Sequence, residues 1–170
     1  MEKEKLVQNR GIYLIFFLFF GCLSSQQMDK TFYKTYLGLD IIPKKELYVY
    51  NENSAQNEGF NFSIIKYETV NNLTIKNGYP IKDRYREKWS VSEWKPISSN
   101  VIKDFDIIFK YRLEDLKTKQ QIKDVKLLFE SNSNYYSFYY KKSPKGDIYA
   151  IYLYILDVNN NSIYIFNVET

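Results

Sequence analysis

The chain closes on three apolar-rich runs, and their spacing constrains its fold more than any other feature. Residues 135–141, 148–157 and 162–168 have the β-branched and aromatic composition of strands. Ser143-Pro144-Lys145-Gly146 separates the first two runs, and Asn159-Asn160-Asn161 the last two. Links this short suit hairpin turns. A parallel crossover takes about a dozen residues or more, so neighbouring runs must pair antiparallel. The prediction is a C-terminal three-strand meander.

Upstream, residues 27–37 predict a short helix. Met28, Phe32 and Tyr36 share a face with Leu37 beside them, and Gly38 suits the position just past the helix end. Residues 40–45, with Pro43, read as a turn. Residues 46–50 and 60–70 read as strands, with a polar loop over 51–59. Residues 71–79, including Asn77-Gly78, read as another turn. Residues 84–91 read as a further strand, closed by Trp94-Lys95-Pro96.

Residues 101–116 carry two periods at once. Phe105, Ile108, Phe109, Leu113 and Leu116 make a helical stripe, while Phe105, Ile107, Phe109, Tyr111 and Leu113 alternate like a strand. Ser98 or Ser99 as a cap favours the helix, and the strand stays open. Residues 119–130 predict a helix, with Ile122, Val125, Leu128 and Phe129 on one side. The fold class is therefore α+β: an antiparallel β-sheet ending in the three-strand meander, with two or three helices packed against it.

Composition narrows the chemistry. The 170 residues include no histidine and one cysteine. Mechanisms needing an imidazole are excluded, as are an intramolecular disulfide and a Cys-rich zinc site. A net charge of +4 with no long basic run gives no footprint for nucleic acid. Tyr and Phe are abundant, at 17 and 12, but so are Asn, Lys and Ile, while Ala occurs only at Ala55 and Ala150. That is the pattern of A/T-rich codons, which account for much of the aromatic excess.

Motifs that could carry chemistry occur at chance frequency. Acid-x-Lys, half of a nuclease signature, occurs at Glu93–Lys95, Asp115–Lys117 and Asp124–Lys126. Ser-x-x-Lys, a histidine-free acyl-transfer pair, occurs at Ser63–Lys66 and Ser92–Lys95 without its Lys-Thr-Gly partner. Asp157-x-Asn159-x-Asn161 opens like a calcium loop, but Ser162 stands where glycine is required and Val168 where glutamate is. Asp104 and Asp106 could pair as carboxylates but lack a third. These residues predict no catalytic residue, no metal and no cofactor. Trp94, Tyr149, Tyr152 and Tyr154 are the candidates for an interaction surface, because aromatic rings with a polar tip suit interfaces.

The N-terminus carries the address. Lys3, Lys5 and Arg10 precede an apolar run, residues 11–21, that spans about 16 Å as a helix. That is too short for a hydrocarbon core of about 30 Å and fits the apolar centre of a signal peptide. The run ends at Cys22, the lone cysteine. Leu18-Phe19-Phe20-Gly21-Cys22 resembles a bacterial lipobox, with Gly21 matching and Phe19 and Phe20 replacing an aliphatic and a small residue. The resemblance implies cleavage between Gly21 and Cys22 and lipidation of Cys22, a palmitate-type anchor. Each buried methylene adds about 0.8 kcal/mol, so several acyl chains hold firmly. The implied organisation is a signal peptide over 1–21, a lipidated Cys22 and short tether over 22–27, and one α+β domain over 28–170.

With the lipobox, the segment FYKTYLGLDIIPKK from Phe32 to Lys45, Trp89 and Trp94, and the ending DVNNNSIYIFNVE, the chain resembles the small lipoproteins of Bacteroidota-type bacteria. The resemblance implies a lipid-anchored cell-envelope location, with the outer membrane favoured over the inner, and no particular activity. The expected function is a non-catalytic envelope lipoprotein that binds the membrane through Cys22 and an envelope protein partner. One special case is an immunity-type protein guarding against a secreted toxin. The alternatives are a lipid- or small-ligand carrier and, behind it, an enzyme.

Overall fold

The computed structural model describes residues 29–53, 59–69, 72–131 and 133–170. Its core is one six-stranded antiparallel sheet with strand order β1-β2-β6-β5-β4-β3. The strands are β1 (Ile41–Asn53), β2 (Gly59–Thr69), β3 (Ser90–Pro96), β4 (Tyr135–Lys142), β5 (Ile148–Asp157) and β6 (Ser162–Glu169). With its helical segments the protein is α+β. No helix among the described residues is long and apolar enough to cross a membrane.

Helix α1 opens at Lys30–Phe32 and widens into a π-helical turn, Tyr33–Leu37. The Asp29 carboxylate caps it, accepting from the Thr31 N–H at 2.8 Å. Gly38 ends it at φ +69°, the left-handed conformation that glycine adopts without penalty. A side chain there would also overlap the Tyr79 ring. Beyond β3 come a 3-10 segment (Ser99–Phe105), α2 (Asp106–Phe109) and α3 (Leu116–Leu128). Asp115 caps α3, accepting from the Thr118 N–H at 2.6 Å, and the Tyr48 hydroxyl donates to the same carboxylate. The Thr118 bonds hold the Asp115 pKa below the ordinary carboxylate value.

Both sheet faces are buried. Side chains alternate across a strand, so β2 sends Phe60, Phe62 and Ile64 to one side and Ile65 and Tyr67 to the other. The first set joins Ile151, Leu153, Ile155, Phe166 and Val168 beneath Phe105, Ile108, Ile122, Val125 and Phe129 of the helical segments. The second joins Tyr139, Tyr154, Leu156 and Ile163 beneath Phe32, Tyr33 and Leu37 of α1 and Trp89.

Several sequence expectations need correction. Residues 40–45 belong mostly to β1 and not to a turn. Pro43 is tolerated because β1 is an edge strand, with register shifts at Pro43/Lys45 and Glu46/Tyr48. Residues 84–89 form turns, and the strand starts only at Ser90 and runs through Trp94 to Pro96. Residues 101–116 are helical only to Phe109, and the chain then runs irregularly to the Asp115 cap. Leu116, counted in the helical stripe, is 79% exposed. The next helix starts at Leu116, three residues before the expected start at Lys119.

Candidate functional site

The sheet face beneath α1 carries an unusual polar centre. Arg86 is 9% exposed and Asp83 7% exposed in the turn leading to β3. Asp83 organises the turn: one carboxylate oxygen accepts from the backbone N–H groups of Tyr85 and Arg86, each at 2.9 Å. Its other oxygen pairs with the Arg86 guanidinium. The guanidinium lies 4.6 Å from the Tyr152 ring centroid and 5.1 Å from that of Tyr139. Cation–ring attraction of this kind is strongest where water is excluded.

Tyrosines surround the pair. The Tyr139 hydroxyl donates to the Ile81 carbonyl at 2.6 Å, tying the sheet to the turn segment. Tyr139 meets Tyr154 edge-on at 6.2 Å. Burial pushes the pKa values of Tyr139, Tyr152 and Tyr154 upward, and the Arg86 charge offsets this in part. Burial pulls Arg86 down, but Tyr154 and Asp83 outweigh it, and its pKa is raised. The Arg86 Nε is buried without a hydrogen-bond partner.

The cluster reaches the surface at one rim. Trp89 packs on Tyr152 with centroids 5.1 Å apart. The Lys141 ammonium lies 4.6 Å from the Trp89 ring and 5.9 Å from Tyr149. It also pairs with Glu169 at 3.5 Å. Tyr85, in the Asp83 turn, is 70% exposed with the Arg84 guanidinium 4.6 Å from its ring.

The structure divides the expected surface residues. Tyr152 and Tyr149 are half-buried at the rim. Tyr154 is only 2% exposed and belongs to the core, because its position on β5 points it beneath α1. Trp94 lies apart from them: its indole N–H donates to the Leu37 carbonyl at 2.8 Å, and it lines a shallow groove with Val91, Glu93, Phe138 and Tyr140. Gly21 and Cys22 fall outside the described residues. Asp83 and Arg86 were not among the expected site residues: their only signal in the sequence is an acid three residues before a base, and residues 84–91 read as a strand.

The weaker motifs have structural occupations. Ser63 and Lys66 point to opposite faces of β2, and the Lys66 ammonium donates to the Asn160 carbonyl. Asp157 accepts from the Asn160 backbone at 3.0 Å and its side-chain amide at 2.8 Å, which fixes the β5–β6 turn. Asp106 pairs with Lys110. Among the described residues, no three His, Cys, Asp or Glu side chains are placed to hold a metal ion.

These environments set an alkaline limit. Tyr67 is pushed from its ordinary value near 10 up to about 12, by burial and then by Asp157. The unfolded chain loses the phenolic proton first. The contribution of Tyr67 is therefore complete below about pH 10 and lost between about pH 10 and pH 12, with the more deeply buried tyrosines adding to the slope. Urea midpoints should hold steady to pH 10 and fall steeply above it. Phenolate absorbance should show a group of tyrosines that titrates only on unfolding.

Compared with known proteins, the chain matches no family model, no curated protein and no solved structure.

Proposed function

We propose that this chain is a lipid-anchored lipoprotein of the bacterial cell envelope that works by holding a protein partner and not by catalysis. The observation that carries the reading is Cys22, the single cysteine, placed where an apolar run ends and a polar stretch begins. The tether of Leu23 to Gln27 spans roughly 17 Å at full extension, which keeps the domain close to the membrane surface, the outer membrane being favoured. The partner surface is the rim of Tyr149, Tyr152 and Lys141. Aromatic rings and cations held in place by a rigid layer lose little freedom on binding. Burial moves Tyr139, Tyr152 and Tyr154 further above neutrality, and the Arg86 pKa is raised as well, which suits support better than proton transfer. A carrier of lipid or small ligands is the alternative, and an open groove along β3 serves it poorly.

The anchor is tested by fractionation. The wild-type protein should sediment with membranes and be released by detergent, while Cys22→Ser should persist as an unprocessed precursor. Identical processing and release of both would overturn the anchor. A pull-down from envelope extract, wild type against Tyr149→Ala, reads the partner surface. Equal recovery of the same proteins would contradict it.

A further inference from the structure

The two sheet edges differ. At β3, the Trp94 N–H donates to the Tyr79 carbonyl at 3.0 Å, and Glu93 accepts from the Gly78 N–H at 3.2 Å, so residues 78–79 cover the edge. At β1, among the described residues, no backbone hydrogen bond leaves 41–53 for any segment but β2. Proteins discourage pairing at open edges with proline, lysine and bulges. β1 has all three, but only in its first half: Pro43, Lys44, Lys45 and both register shifts. From Tyr48 to Asn53 the ladder is unbroken, and Leu47 and Val49 are 46% and 40% exposed.

We propose that β1 pairs antiparallel with the β1 of a second copy of this chain, about a two-fold axis through Val49. The second bulge decides the register. Leu47 is its extra residue, so Tyr48 lies one ladder step from Val49 and Lys45 three steps. On the other side Tyr50 lies one step away and Glu52 three. The axis therefore sets Val49 against Val49 of the second copy, Tyr48 against Tyr50, and Lys45 against Glu52. Lys45, Tyr48, Tyr50 and Glu52 stand opposite Lys66, Ile64, Phe62 and Phe60 of β2, which share one face. The partners thus meet on matching sides of the continuous sheet. Without the bulge, Glu46 would face Glu52 and the pairing would be repulsive.

The charges fit this occupant. Lys45 sits opposite Lys66 in its own sheet, and neither Lys45 nor Glu52 has an oppositely charged partner among the described residues. A second copy supplies both. Backbone bonds join the strands, Val49 forms the apolar centre, and each end carries a Lys45–Glu52 pair.

The test uses the full chain carrying Cys22→Ser, which removes the native thiol and makes the result independent of the anchor. Val49→Cys is added. Opposed residues in an antiparallel pair have Cα atoms about 4.5–5.5 Å apart, within disulfide reach. Mild oxidation should give a covalent dimer far faster than with Leu127→Cys, an exposed control on α3. Adding Lys45→Glu should slow dimer formation about fivefold, the effect of two exposed ion pairs. Adding Glu52→Lys as well should restore it, because the swap re-forms both pairs. Cross-linking at Val49→Cys no faster than at the control would overturn the proposal. So would a swap that fails to restore, which would mean that Lys45 and Glu52 do not meet across the axis.

Discussion

Arg86→Leu should cost about 3–5 kcal/mol of folding stability, the usual consequence of stripping one partner from a buried ion pair. The substitution is close in apolar bulk, so the loss is electrostatic. Asp83 stays 7% exposed, bonded to two backbone N–H groups but facing no cation. The attraction to the Tyr139 and Tyr152 rings goes with it. The double variant Asp83→Asn/Arg86→Leu should recover part of the loss, since no charge is then left buried alone. Urea unfolding of the wild type, both singles and the double gives the coupling. Additive losses would show that the pair is not a unit.

Phe166→Ala should be comparably damaging, at about 3–5 kcal/mol, for an apolar reason. Phe166 is fully buried on β6, stacked on Phe62 at 4.5 Å with the planes 16° apart. It also meets Phe60 at 6.2 Å and Phe109 of α2 at 6.4 Å. Deleting the ring opens a void where strand and helix meet, and rigid aromatic neighbours collapse poorly into it. Thermal unfolding measures the loss, and Phe166→Leu should retain more than half of the stability that alanine removes.

What the sequence made legible follows from pattern strength. Strands expected over 135–141, 148–157 and 162–168 lie within a residue of those observed, because strand composition and short turns agree. The β1 start was not, because Pro43 looks like a turn until its edge position is known. The stretch over 84–91 alternates weakly, yet a three-residue contact between Asp83 and Arg86 winds it into turns. No period announces a buried arginine. Its burial depends on tyrosines more than fifty residues away meeting on one sheet face, and that information is tertiary. Tyr154 illustrates the same limit: it sits two positions from Tyr152 on the same face, yet one lies under α1 and the other at the rim.

On the proposed reading, packing and function join at the rim. The buried pair holds the turn, the Arg86 guanidinium lies against Tyr152, and Trp89, Lys141 and Tyr149 carry the rings and cations outward. On the proposed reading this surface works only if the domain is held at a membrane. The most direct measurement is therefore the mass of the N-terminal peptide of the protein purified from membranes. The chain should begin at Cys22 and carry diacylglyceryl and acyl groups. A peptide extending upstream through Gly21, with an unmodified Cys22 thiol, would contradict it.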